Sequence, residues 1–363
     1  MLKSISIRNF RGFSSLDLSS LSRINIFTGM NGCGKTSLLE VPFLLAGGTN
    51  AGMAISLYNF RNETNVIPSN DMVFRGLFNN LDTSNKIVLE SKGDFQGRVA
   101  VRRRVEITPI KDNIIPTIST DEVEYISGIK MSFIGQSYKN KPLEGSISWE
   151  IKSTEIQSDG TTNQHIGLKQ QLPENKDIIN GFFISPYYRE LWQQVHGLLT
   201  KLTKANKVHD VVKHMSMIQP NLKNLIPLSE RGMQVIYADI GKDKLLPISL
   251  LGSGFSNILH IVLDSTVLTN GFMIIDEIED GLHYSILPDL VSFLFKISIQ
   301  NNLQFFISTH SEEVLGYFAS IAKRDDYQDI SLRRIITKKD KCTVTDFDLN
   351  EIISSINIDA ELR

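Results

Sequence analysis

Gly29, Gly34, Lys35 and Thr36 stand in the order G-x-x-x-x-G-K-T within "IFTGMNGCGKTSLLE", residues 26 to 40. That spacing suits a phosphate chain: glycines let backbone N–H groups turn onto phosphate oxygens, and a helix starting at the loop adds partial positive charge. The loop residues Asn31, Gly32, Cys33, Gly34, Lys35, Thr36 and Ser37 are therefore the candidates for nucleotide contact. Lys35 is placed to reach the β- and γ-phosphates, and the Thr36 hydroxyl to ligate Mg²⁺. Far downstream, "GFMIIDEIED" sets Asp276 and Glu277 directly after an apolar run. Carboxylates at the C-terminal end of a strand lie at the ligand edge of a parallel sheet. Asp276 is then a candidate for the magnesium shell, and Glu277 for orienting or deprotonating a water that attacks the γ-phosphate. An acidic helix start accounts for the same two residues more simply, and it is the phosphate loop that tips the choice. In "FFISTHSEEVL" another apolar run ends at His310, a third candidate for contact with the γ-phosphate or the water.

Positioning these groups requires a particular scaffold. "LKSISIRNF" alternates with period two and "RINIFTG" is apolar throughout, so both read as strands, and "TSLLEVPFLLAGG" reads as a helix from near Thr36 to Gly47. Strand, glycine loop and helix thus follow in the order the phosphate site needs. From about 86 to 157, four β-prone runs separated by Gly, Asn, Asp and Pro predict an antiparallel sheet, with "NKPLEG" and "QSDGTTNQH" as rim loops. Apolar residues from Leu191 to Ile218 recur at three and four, predicting one long amphipathic helix or a broken pair. "MQVIYAD", "LLPISLLGSG" and a helix over "FSNILHIVLDSTVLT" follow, and the short runs "GFMIID" and "LQFFIST" suit central strands of a parallel sheet.

Composition narrows the setting. In 363 residues, 38 Lys and Arg balance 40 Asp and Glu, which excludes nucleic-acid binding through bulk charge and leaves room for a local patch. Two cysteines, Cys33 and Cys342, are too few for a disulfide scaffold and fit a reducing compartment. No run approaches the ~18 apolar residues of a membrane helix and the N-terminus has no apolar signal core, so a cytoplasmic protein with no membrane partner is expected. The basic clusters "RRR" at 102 to 104, Arg333-Arg334 and Lys338-Lys339 read as solvated strand faces, and Asp346 and Asp348 of "TDFDLN" as a loop before a final helix. His209 and His214 are five apart, off the spacing that places two ligands on one helix face, so no structural zinc is expected.

Taken together, "ISIRNFRGF", "GMNGCGKTSLLE", "LLGSGFSNIL", "IIDEIEDGLHYSIL" and "ISTHSEEVL" resemble the ABC-type ATPase heads of the SMC and OLD kind. The resemblance implies an α/β P-loop NTPase fold: a central, mostly parallel sheet, an antiparallel β lobe and a helical insertion. It implies one ATPase domain over 1–363, with a phosphate-loop part at 1–85, the β lobe at 86–160, the helical insertion at 180–225, and the signature, acidic and histidine motifs at 245–345. In such heads two subunits sandwich ATP, so Gly252, Ser253 and Gly254 of one copy would close on the γ-phosphate held by another. Arg11 matches a position near the nucleotide phosphates, while no glutamine is chosen for the family's coupling loop, Gln96 and Gln136 being weak matches. The signature here reads L-L-G-S-G where the family has L-S-G-G-Q.

The implied cofactors are ATP and Mg²⁺, and the implied assembly a homodimer or higher homo-oligomer. The full motif set without a second catalytic domain is similar to the ATPases of bacterial two-gene antiphage systems such as Septu, which act beside a separately encoded nuclease or toxin effector. The alternative is a RecF-like repair ATPase that binds DNA across dimerised heads; DNA or RNA thus remains a possible partner. A transporter subunit fits less well, because the stretch between the phosphate loop and Asp276 is too long for a compact transporter head.

Overall fold

A computed structural model describes residues 1–47, 53, 56–57, 61, 71–95, 98–114, 123–136, 142–156, 162–171, 180–186, 192–230, 232–338 and 341–347. The chain forms two compact units. Unit 1 comprises Met1–Leu21, Asn31–Ile179 and Ile335–Val344, and unit 2 Ser22–Met30, Asn180–Arg334 and Thr345–Arg363.

Unit 1 is built on a seven-stranded sheet in the order β2-β1-β4-β5-β6-β7-β8, its strands pairing antiparallel throughout. The strands are β1 (Leu2–Phe10), β2 (Phe13–Leu18), β4 (Ile87–Phe95), β5 (Arg98–Ile114), β6 (Val123–Gln136), β7 (Pro142–Ile156) and β8 (Thr162–Gln171). In β1 the period-two pattern buries Leu2, Ile5, Ile7 and Phe10. Helix α1 (Lys35–Ala46) packs on β4 and β5. A short helix, α2, covers Asp71–Arg75.

Three expectations change in this unit. The β lobe takes in β1 and β2 as well as the run from 86 onward. The two stretches read as rim loops supply strand ends: Pro142–Gly145 open β7 and Thr162–His165 open β8. A proline at the first position of a strand costs no interior ladder bond, and a polar strand is tolerated at the edge of a sheet. Arg103, read as solvated, is buried with its guanidinium carbon 5.8 Å from the Phe133 ring centroid. Strand alternation sends it to the face opposite Arg104, which pairs with Glu90 and Glu106.

Unit 2 carries most of a six-stranded sheet in the order β16-β15-β3-β14-β13-β9. Strands β15 (Ile330–Lys338), β3 (Ile24–Thr28), β14 (Gln304–Ser308), β13 (Phe272–Ile275) and β9 (Gly181–Ile184) run parallel. Every residue of β3, β13 and β14 is buried, as expected of central strands covered on both faces. Helices α5 (Ser253–Val267), α6 (Leu287–Gln300) and α7 (Glu312–Arg324) supply the apolar cover. Strands β10 (Asn224–Glu230), β11 (Met233–Asp239) and β12 (Leu246–Pro247) make a small separate sheet.

The helical insertion is a broken pair, α3 (Trp192–Lys204) and α4 (Val208–Met215). Asn206 breaks it by turning left-handed at φ 55°, after which the Lys207 N–H closes back on the Leu202 carbonyl at 2.9 Å. The D-x-D segment also differs from expectation: Asp346 lies on β16 (Lys341–Phe347) and accepts a hydrogen bond from Arg333, which is buried and not solvated. The exposed Asp346 carboxylate gives the buried guanidinium a charged partner at the surface. Asp348, the final helix and Lys339 lie outside the described residues. Among the described residues no helix is long and apolar enough to cross a membrane.

Candidate nucleotide site

In unit 2 the parallel register of β3, β14 and β13 brings Thr28, Ser308 and Asp276 to one edge of the sheet. Asp276 is buried, and the Ser308 hydroxyl donates to its Oδ1 while accepting the Glu277 N–H at 2.8 Å. Backbone bonds pin the loop on either side, Asp276 N–H to Ile184 O at 2.9 Å and Ile278 N–H to Ser308 O at 3.2 Å. Glu277 is held at φ 50°, a left-handed conformation that costs a non-glycine residue about 1–3 kcal/mol. This half-buried carboxylate is therefore aimed by the backbone and not by its own rotamer alone.

His310 belongs to the same cluster. Its N–H donates to Glu279 Oε1 at 2.8 Å, and its Nδ1 lies 3.0 Å from that oxygen. The second approach is short enough for an ion pair once the ring is protonated, yet too poorly aligned for a hydrogen bond, so Nδ1 and Glu279 Oε2 have no hydrogen-bond partner. The buried Thr28 Oγ1 is likewise unpartnered. Buried polar atoms are normally satisfied, and three unsatisfied ones beside a buried carboxylate fit a polar, charged ligand such as a metal-bound phosphate.

The segment Ile248–Gly254 docks on the loop that follows Glu277 within the same unit. A 3₁₀ turn over Ile248–Leu251 leads to Gly252, at φ 93°, which opens α5. A Cβ on Gly254 would lie 2.9 Å from the Gly281 carbonyl, and Asn257 Nδ2 donates to the Asp280 carbonyl at 2.9 Å. Sequence patterns gave no sign of Asn257, since one asparagine in an apolar helix carries no motif.

The glycine loop leaves unit 2 at Met30 and enters unit 1 at Asn31. Gly32 at φ 77° and Gly34 at φ 103° adopt conformations that an L side chain resists, and a Cβ on Gly34 would also press on Phe13 at 3.1 Å. Asn31 and Gly32 are exposed, while Cys33, Lys35 and Ser37 are buried and Thr36 half-buried. The Cys33 carbonyl accepts the Thr337 hydroxyl at 3.1 Å and faces Cys342 Sγ at 3.8 Å, and burial pushes both thiols up from their ordinary value.

Behind Lys35 a second group of charges organises the start of α1. Glu40 is fully buried and holds Arg61 at 2.7 Å and Arg11 at 3.1 Å. Arg61 reaches on to the Ser37 hydroxyl at 3.0 Å, and Arg11 to the Gly76 carbonyl at 3.0 Å. Arg11 thus braces α1 through Glu40. No sequence motif pointed to either residue: Glu40 stands out only as the one acid in an apolar helix, and Arg61 carries no signal. Gln96 and the side chain of Gln136 lie outside the described residues.

The family model described as "AAA domain, putative AbiEii toxin, Type IV TA system" matches residues 24–316. The chain belongs to this family. It is an AAA-type ATPase on an α/β P-loop NTPase fold. This ATPase is 23% identical over 343 residues to an "ATP/GTP phosphatase" of Helicobacter pylori, the alignment covering 90% of each chain. It is 29% identical over 137 residues to the "DNA replication and repair protein RecF" of Bacteroides fragilis, over 35% of this chain and 34% of that one. Among solved structures it is similar to an Smc head bound to the C-winged helix domain of ScpA, at 10% identity and a TM-score of 0.49, covering 97% of this chain and 99% of that one.

Proposed function

We propose that this AAA ATPase binds ATP with Mg²⁺ through Asn31–Ser37, hydrolyses it slowly, and uses the bound state to hold two or more copies together while it controls a separately encoded effector. Thr36 and Asp276 would hold the metal, which when bound supplies charge neutralisation at the phosphates. Lys35 would bind the β- and γ-phosphates, Glu277 would orient or deprotonate the attacking water, and His310 would contact the γ-phosphate. Arg11 would act on the phosphates through the Glu40 brace. The observation that carries the reading is Ser308, which fixes Asp276 and the Glu277 backbone with one hydroxyl. Gly252, Ser253 and Gly254 would close on the nucleotide of a second copy, as anion-binding N–H groups at a helix start do.

The effector would be a nuclease or toxin, in antiphage defence; the toxin–antitoxin wording of the family description supports this reading, and the near full-length alignment with a nucleotide phosphatase supports the hydrolysis. Glu277→Gln is expected to keep ATP bound, lower turnover by 100-fold or more on the order of general-base loss, and accumulate a dimer by size-exclusion with light scattering. Normal turnover in that variant would remove Glu277 from the role. The RecF alignment favours a second reading, DNA binding across ATP-closed heads. Affinity for duplex DNA that rises with ATP and falls steeply with salt would select it.

A further inference from the structure

We propose that the cavity between α5 and the catalytic loop of unit 2 is a binding site for an alkylammonium or guanidinium head. The cavity is about 80 Å³, room for several waters or one small organic cation and not for a nucleotide. Its walls are partly apolar, from Phe182, Ile184, Pro186, Val195 and Ile261. Its described polar lining is mainly acidic, with Asp264 from α5, Asp276, Glu277 and Asp280 beside Ser185, Asn257 and His260, and no lysine or arginine is among the described lining residues.

Asp264 is the observation that singles out a ligand. Its side chain lines the cavity at 7% exposure and makes no hydrogen bond or ion pair among the described residues, and burial raises its carboxyl. A buried carboxyl without a partner is costly, and such groups are retained where something supplies the missing donor. His260, one helical turn earlier on the same face, is held neutral by burial and so brings no positive charge. No group of three His, Cys, Asp or Glu among the described residues is placed to hold a metal ion, which directs the choice to a cation with its own N–H donors and an apolar stem. An ammonium offers three donors and a guanidinium five, and the aliphatic walls accept the stem. The head could arrive on a free amine or on a lysine or arginine of a protein partner; the recognising chemistry is the same. Because Asn257 ties α5 to Asp280, an occupant would brace the signature helix against the catalytic loop.

The test uses the full chain at pH 8, where the Asp264 carboxyl is ionised, without nucleotide, titrated calorimetrically with methylguanidinium and n-propylammonium against sodium chloride at equal ionic strength. Saturable binding is expected, weakened about tenfold or more in Asp264→Asn, as removal of a charge-assisted bond predicts. Asp264→Leu, which removes the polar group altogether, should behave alike, and Lys35→Ala should bind as the parent does, so that failure of the nucleotide assignment would leave this result standing. Spermidine binding at least tenfold tighter than propylammonium would identify a free polyamine, whereas no gain with length would identify a partner's side chain. Absence of saturable binding in the parent, or unchanged binding in both Asp264 variants, would overturn the proposal.

Discussion

Replacing Asp264 by asparagine should stabilise the protein, by an amount that depends on pH in a defined way. Burial raises the Asp264 carboxyl from 3.8 to about 7, so the folded state keeps a proton that the unfolded chain gives up. Its favourable contribution is full below pH 3.8 and is lost as pH rises through 7. A span of about three pH units corresponds to about 4 kcal/mol at 1.36 kcal/mol per unit, an upper bound for the carboxyl's cost at pH 8. His260 works in the opposite sense. Burial lowers it from 6.5 to about 4, so its contribution is present above pH 6.5 and lost as pH falls through 4, about 3 kcal/mol in all. In the parent the two slopes nearly cancel between pH 4 and 6.5, and only the Asp264 slope continues above. Urea unfolding followed by circular dichroism at pH 4.5, 6 and 8 reads this out as the difference between Asp264→Asn and parent, in which every other titrating group cancels. That difference should be small at pH 4.5 and grow to a few kcal/mol in favour of asparagine at pH 8. A variant less stable than the parent at pH 8, or an advantage that does not change with pH, would refute the argument.

Glu40→Gln should destabilise by about 3–5 kcal/mol, because Arg11 and Arg61 lose their buried counter-charge; thermal unfolding checks it, and a loss under 1 kcal/mol would show that the arginines find other partners. Lys35→Ala should abolish nucleotide binding as measured by fluorescent ATP analogue titration, and undiminished affinity would remove Lys35 from the phosphate site. Cys33 and Cys342, buried and with raised thiols, should react with iodoacetamide at pH 7.5 far more slowly than free cysteine. Rapid alkylation of Cys33 in the folded chain would show that the phosphate loop opens.

What was legible in the sequence was what depends on short-range rules. The strand, glycine loop and helix around Lys35 follow from period and glycine spacing, and the carboxylates after β13 and the histidine after β14 from the ends of apolar runs. What was not legible depends on partners distant in the chain. Pro142 and Thr162 look like loop residues until β6 and β7 are there to pair with them. Arg103 and Arg333 look solvated because their cover, Phe133 and Asp346, lies far along the sequence. The four-residue strand β9 is too short to announce itself, yet its Ile184 carbonyl anchors Asp276. Arg61 becomes visible only once Glu40 and Ser37 share a helix face.

The contact between Gly254 and the Gly281 carbonyl bears on how substitutions in the signature segment must be interpreted. A side chain at Gly254 would displace the loop that carries Asp276 and Glu277 in its own subunit, whatever it does to a neighbouring one. Lost turnover in a Gly254 variant would thus report damage to this loop as well as any lost contact with a second copy. Ser253, which can lose its hydroxyl without any new atom meeting that loop, is the position at which the proposed effect on a second copy can be isolated: if the copies pair as proposed, mixed dimers of Ser253→Ala with Glu277→Gln would assign each site to its owner.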